Sequence, residues 1–289
     1  MADRLTEALL VEVAVQTVAT VEGAAAWVGS TFLAVRASRA PERYAAAVKL
    51  GGAEGGCNHP LLRASGPEVG ELVQQLCVQE LRLLEETGLV QRACGGRFVA
   101  TRLGEVACRH SVRFPTVQWL TRAEPPQDLQ QLLWLVSSTA DFEDFRPKQG
   151  ERSQLREWAK PRQRKAAGQQ GAATVRWTFP GPIDTPAKKV QVLVQLALSD
   201  SPRVQLPWDL KLQQQQILRR LDHLMPLVVE IFGGFRRGHA LAQAFLIQKC
   251  LRHQLWENTD MQVRQLHQIG DANAEQLRKQ GLGSLASLA

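Results

Sequence analysis

The sequence predicts a mainly α-helical protein: a winged helix, then a helical bundle, then a partial helix–hairpin–helix. Three observations predict it. Apolar residues recur every three to four positions over most of the 289 residues, the period of a helix that buries one face. One short stretch, Leu89–Arg92 with Arg97–Thr101 across Cys94-Gly95-Gly96, reads as a hairpin, and helices followed by a basic hairpin suggest a winged helix. With 44% hydrophobic residues, the chain can bury a sizeable core and has room for about two domains.

Composition sets the partner classes. Lys and Arg outnumber Asp and Glu by 35 to 28, a formal charge of +7. That balance favours an anionic partner such as nucleic acid, and serves solubility if there is none. No apolar run approaches the roughly 18 uncharged residues of a membrane span, and no basic stretch leads into a secretory core at the amino terminus, so an intracellular protein with no membrane partner is expected. The five cysteines include no C-x-x-C pair, which argues against a disulfide framework or a zinc site. Cys77 and Cys250 fall within helical patterns and read as small buried hydrophobes.

In order along the chain, Leu5–Val15 is the first helical pattern. A second runs from Val21 to Ala37, with Trp27, Thr31 and Val35 along one side, until Pro41 stops it. Gly51-Gly-Ala-Glu-Gly-Gly56 is a surface loop by composition. Pro67 opens a helix with Val69, Leu72, Val73, Leu76, Leu83 and Leu84 on its apolar face, closed by Gly88 as a C-terminal cap. After the hairpin, Pro115 and Arg122–Pro126 mark a boundary. Asp128 then caps a helix whose Leu129, Leu132, Leu133 and Val136 form one stripe, ending in a charged elbow through Phe145–Glu151. Glu151–Ala159 is a short helix with Leu155 and Trp158 inward. From Trp158 to Ile183 there is no acidic residue, whereas Lys160, Arg162, Arg164, Lys165 and Arg176 are all present; this stretch reads as a phosphate-contacting loop or as a solvated insertion. Thr185-Pro186 starts a helix with the stripe Val190, Leu193, Val194 and Ala197. A glutamine-rich helix from Trp208 to about Ile231 follows, with Pro226 inside it, where a kink is expected. Gly233–His239 has glycines at phosphate-loop spacing but His239 in place of the lysine, so it reads as a helix–helix turn before the helix His239–Trp256. The expected domains are 1–120, 127–258 and 259–289.

Several separated stretches resemble one family. Leu5-Thr-Glu, Glu12-Val, Thr17-Val, Ala24, Trp27, Thr31-Phe-Leu-Ala-Val-Arg36 and Pro41-Glu-Arg-Tyr44 follow, in order, a segment of the Ski-two-like superfamily-two helicases. Thr101-Arg-Leu-Gly-Glu-Val-Ala-Cys-Arg-His110 resembles the "T-x-x-G-x-x-A-x-x-Y-Y" that ends their winged helix, with His110 and Ser111 replacing the aromatic pair. Ser137–Phe142 and Phe145–Glu151 resemble the "S-x-x-x-E-F-x-x-I-R-x-R-x-G-E" that opens their Sec-sixty-three-type helical domain. Ile183–Val190 matches "I-K-T-P-x-x-K-V", and Trp256-Glu-Asn-Thr resembles "W-E/D-N-S". Val263, Leu266, Ile269-Gly270, Ala274, Leu277 and Gly281-Leu282 resemble one helix–hairpin–helix in which Asp271-Ala272 replaces the second glycine.

The resemblance, nearest to the helicases of meiotic crossover formation, implies the non-motor half of an ATP-dependent 3'-5' DNA helicase. It implies single-stranded or branched DNA, helicase motor domains or recombination factors as partners, and a nuclear location. The chain contains no G-x-x-x-x-G-K-S/T and no acidic box, so nucleotide hydrolysis is not expected of it alone; ATP and magnesium are expected only with the motor, and no cofactor or metal in this chain. The corresponding helix of the family crosses a pore and meets the strand, which places candidate contacts at Gln213, Gln216, Arg219 and Arg220, with Lys160, Arg162, Arg164 and Lys165 in the basic loop as further candidates. The alternative is a protein-interaction module that docks onto a motor or recombination factor without binding DNA.

Overall fold

The computed structural model describes residues 2–40, 67–159, 175–179, 181–199 and 206–287. The chain forms two compact units, Met1–Gln118 and Trp119–Ala289. Both are built chiefly of helices.

In the first unit, α1 (Ala2–Ala14), α2 (Val21–Gly29), α3 (Phe32–Arg39) and α4 (Pro67–Glu86) precede a hairpin of β1 (Val90–Arg92) and β2 (Phe98–Ala100), and α5 (Arg102–His110) follows it. The single helix expected from Val21 to Ala37 is two. Gly29 weakens the helix, and the Ser30 and Thr31 hydroxyls turn back onto the Trp27 and Val28 carbonyls at 2.7 and 2.6 Å, a local bond that competes with continued helix. Trp27 and Val35 therefore share no helix face. Leu5, Leu9 and Val13 of α1 and Val73, Leu76, Cys77, Leu81 and Leu84 of α4 are buried, and the two helices pack together. Leu72 and Leu83, expected on the buried face of α4, are only half-buried, and Gly88 takes the left-handed φ of +71° that a terminal glycine permits.

The hairpin is antiparallel, with Gln91 opposite Val99, and Phe98 N–H reaches back to the Ala19 carbonyl at 2.8 Å. Thr101 caps α5 by accepting from Gly104 N–H. Gly104 has a steric reason to be glycine: a Cβ there would lie 2.1 Å from the Leu89 carbonyl oxygen. Pro115 and Arg122, expected near a boundary, flank the point where the two units divide. Pro115 lies in the first turn of α6 (Phe114–Arg122), where its missing N–H costs nothing; the division falls within that helix.

The second unit is a bundle of α7 (Leu129–Ser137), α8 (Arg152–Trp158), α9 (Pro186–Leu198), α10 (Trp208–Gly234) and α11 (Gly238–His253), followed by α12 (Asp271–Lys279). Asp128 caps α7 through Gln131 N–H at 2.7 Å. Leu129, Leu132, Leu133 and Val136 are buried as a stripe. Thr185 caps α9 with Pro186 in its first turn. The one-sided stripe expected of α9 is wrong: Val190, Val192, Leu193, Val194, Leu196 and Leu198 are buried, and so are Lys189, Gln191 and Gln195. A helix buried on all sides sits at the centre of a bundle, and α9 packs on α7, α8 and α10. Of the four apolar residues expected inward, Ala197 alone is half-buried.

Helix α10 passes through Pro226; buried Leu224, Met225, Leu227 and Val228 on either side supply packing that offsets the lost hydrogen bond. Residues 235–237 form the turn between α10 and α11, where Arg236 takes a φ of +54°. In the tail, Val263 and Ala274 are fully buried, α12 packs on the 3-10 turn Gln262–Gln265, and Gly283 lies where a Cβ would meet the Asp260 carbonyl at 2.1 Å. Among the described residues no helix is long and apolar enough to cross a membrane.

Candidate nucleic-acid interface

The elbow after α7 is held by polar side chains from α9 and α10. Glu151 stands where they converge. One of its carboxylate oxygens accepts from Lys189 Nζ at 2.5 Å and from Lys148 N–H at 3.0 Å, and the other from Gln213 Nε2 at 3.2 Å. The Lys189 side chain is 1% exposed and that of Glu151 12%, so an ammonium inside the bundle is neutralised by one carboxylate that itself receives three hydrogen bonds. Burial works against ionised Glu151, but the bonds from Lys189, the Lys148 backbone and Gln213 outweigh it, and its carboxyl is held below the usual range.

Seven residues along α10, Arg220 repeats the attachment. Its two terminal nitrogens grip the Asp144 carboxylate, each at 2.8 Å, one of them also donates to the Asp141 carbonyl at 2.6 Å, and the guanidinium lies 4.7 Å above the Phe145 ring. A planar fork matched to a carboxylate and stacked on an aromatic is the geometry arginine is suited to.

These contacts reassign the expected strand-binding residues. Gln213 and Arg220 are engaged with the elbow. Gln216 and Arg219 are exposed. Helical spacing puts Arg219 on one stripe with Trp208, Leu212 and Gln215, all exposed, Trp208 at 75%. This stripe lies opposite the buried Ile217, Leu221, Leu224 and Val228. It combines an aromatic face, amide groups and a cation, which suits stacking, hydrogen bonding and phosphate contact. Lys160, Arg162, Arg164 and Lys165 lie outside the described residues. Arg176 is described, and it is occupied: one guanidinium nitrogen donates to both Glu257 oxygens at 2.7 and 2.9 Å, over the Trp177 and Trp256 rings. Trp177 is fixed in turn by buried Gln195, whose amide accepts from its N–H at 2.7 Å and donates to its carbonyl at 3.3 Å.

Sequence reasoning missed Glu151, Asp144 and Gln195 as organising residues. A signal existed. One of the recognised motifs ends in an acid, Glu151, and another carries a base, Lys189, one position before the apolar stripe of its helix begins. Burial pushes the Cys77 thiol up to about 11, and burial with the Glu257 charge pushes that of Cys250 up to about 12, so these two are protonated at neutral pH. Among the described residues no three His, Cys, Asp or Glu side chains are grouped to hold a metal ion.

Residues 100–279 match the family model described as the Sec63 Brl domain. The chain is also similar to the "Probable ATP-dependent DNA helicase HFM1" of Xenopus tropicalis, 28% identical over 281 residues, which cover 96% of this chain and 19% of the relative. The human protein of the same description is 26% identical over 287 residues, 98% of this chain and 18% of that one. The "ATP-dependent DNA helicase MER3" of Saccharomyces cerevisiae is 23% identical over 296 residues, 98% of this chain and 23% of that one. The chain thus spans about a fifth of the length of these relatives.

Proposed function

The chain belongs to the Sec63 Brl domain family, and from that premise we propose that it is the auxiliary, non-motor portion of an ATP-dependent 3'-5' DNA helicase of the HFM1 and MER3 kind. In this reading it acts in the nucleus, in meiotic recombination and crossover formation, on single-stranded or branched DNA. The first unit serves as a winged helix, the second as the helical bundle with the helix–hairpin–helix-like tail. Nucleotide and magnesium belong to motor domains outside this sequence.

The observation that carries the reading is the open stripe of α10, with Trp208 at its start and Gln215 and Arg219 along it. An exposed tryptophan offers a platform for a base, worth roughly 1–3 kcal/mol where stacking occurs. Arg219 offers a charge to a phosphate, and each phosphate neutralised on a single strand steepens the salt dependence by about 0.7 in the log–log slope.

Fluorescence anisotropy with a labelled single-stranded oligonucleotide tests it. Binding that weakens with salt is expected, with Trp208→Ala lowering affinity at every salt concentration and Arg219→Ala also reducing the slope. No binding at low salt sinks the reading.

A second reading is docking of a motor or recombination factor without DNA. The exposed Val11 and Val15 of α1 and Phe32 and Val35 of α3, Phe32 at 68%, favour it. Loss of partner association in Phe32→Ser, in a chain with no oligonucleotide affinity, would select this reading over the first.

A further inference from the structure

We infer that Asp144 and Glu151 are positioning residues for the α10 strand surface, and that Arg220 acts through Asp144 rather than by touching the strand. The inference rests on the reading of α10 as the strand-contacting helix.

Apolar packing decides which face of a helix is buried, but it is less directional than hydrogen bonds in fixing the last few degrees of rotation. Directional bonds at two levels remove that freedom. Gln213 and Arg220 are seven residues apart, so they lie on nearly the same line of the helix two turns apart. Gln213 is bonded to Glu151 at 3.2 Å, and Arg220 to Asp144 by two bonds of 2.8 Å. Both acids belong to one short elbow segment, and that segment is itself anchored on central α9 through Lys189. The line of attachment runs along the border between the buried face, Ile217 and Leu221, and the open stripe, Leu212, Gln215 and Arg219. Which side chains meet a passing strand is therefore set by the elbow. The elbow also withdraws Arg220 from that role, since its fork is filled by a carboxylate and one face of its guanidinium by the Phe145 ring.

Asp144 and Arg220 are both partly exposed, 60% and 42%, so variants at this pair should fold, which the buried Lys189–Glu151 pair does not promise. The experiment measures oligonucleotide affinity and salt slope for Asp144→Asn, Arg220→Ala, the double variant and the charge-reversed Asp144→Arg with Arg220→Asp. Arg219→Ala serves as the direct-contact control, and hydrogen exchange over 206–220 is followed in each.

The single variants should each lose about fivefold in affinity, the upper range for one exposed pair, with the slope unchanged and exchange over 206–220 faster. The double variant should be no worse than either single. The charge-reversed pair should recover affinity although it has no cation at position 220. If Asp144→Asn instead tightens binding while Arg220→Ala flattens the slope, Arg220 is a strand contact and the inference is wrong. Additive losses, or unchanged affinity in both singles while the parent binds, overturn it equally. Failure of the parent chain to bind at all is a different result: it removes the strand reading itself.

Discussion

The two units solve the same packing problem with different chemistry. In the first, α1 and α4 meet through leucine and valine, and the hairpin is fixed by backbone proximity, with Gly104 against the Leu89 carbonyl. Buried Glu80 of α4 accepts a hydrogen bond from the Thr6 hydroxyl of α1. In the second, the centre holds a lysine and two glutamines, and the orientation of α10 depends on charged groups. Apolar contact sets which face of a helix turns inward; directional bonds narrow the rotation further. A surface whose facing side chains must be presented in register needs the second arrangement.

The largest effect should come from breaking the polar centre. Lys189→Ala leaves Glu151 buried without its cation, a change that typically costs about 3–5 kcal/mol. Hydrogen exchange should accelerate in peptides from 186–198 and 208–220 and stay unchanged over 73–84 in the first unit. Equal acceleration in both units would show that the contrast drawn between them is false.

The backbone solution of the first unit is probed by Gly104→Ala. A Cβ placed 2.1 Å from a carbonyl oxygen forces α5 off β1, and overpacking of this kind costs about 1–3 kcal/mol. Exchange should rise over 89–110 and leave 186–220 as it was, the mirror image of the lysine variant.

The smallest effect belongs to an ion pair of ordinary kind. Arg92 and Glu85 meet at 3.1 Å with side chains 51% and 35% exposed, so Arg92→Ala should change the midpoint of urea unfolding by an amount equivalent to about 1 kcal/mol or less. A loss comparable to that of Lys189→Ala would mean that burial does not separate the two pairs.

Much of this was legible in the sequence where local chemistry decides structure. The caps at Asp128 and Thr185, the terminal Gly88 and the turn between α10 and α11 follow from residue types that satisfy helix ends or adopt special backbone angles. The α10 glutamines and arginines were legible as a polar face. Their division into Gln213 and Arg220, which are bound, and Gln216 and Arg219, which are open, was not, because it depends on acids some 60 to 80 positions away in the chain. The wholly buried α9 was misread for the same reason: Lys189 and Gln195 look like a solvent face until Glu151 and the Trp177 backbone arrive from distant segments.

The clasp of Gln195 on Trp177 has one further consequence, for the chain between Ala159 and Val175. Both of these end points are buried in the second unit, and the backbone beyond Val175 is received by an amide that pairs with it as a neighbouring strand would. The two ends are therefore secured independently of what joins them. Doubling the length of a connection between fixed ends costs only about 0.6 kcal/mol in closure entropy. A change of length between these two anchored ends should leave the bundle on either side with its geometry.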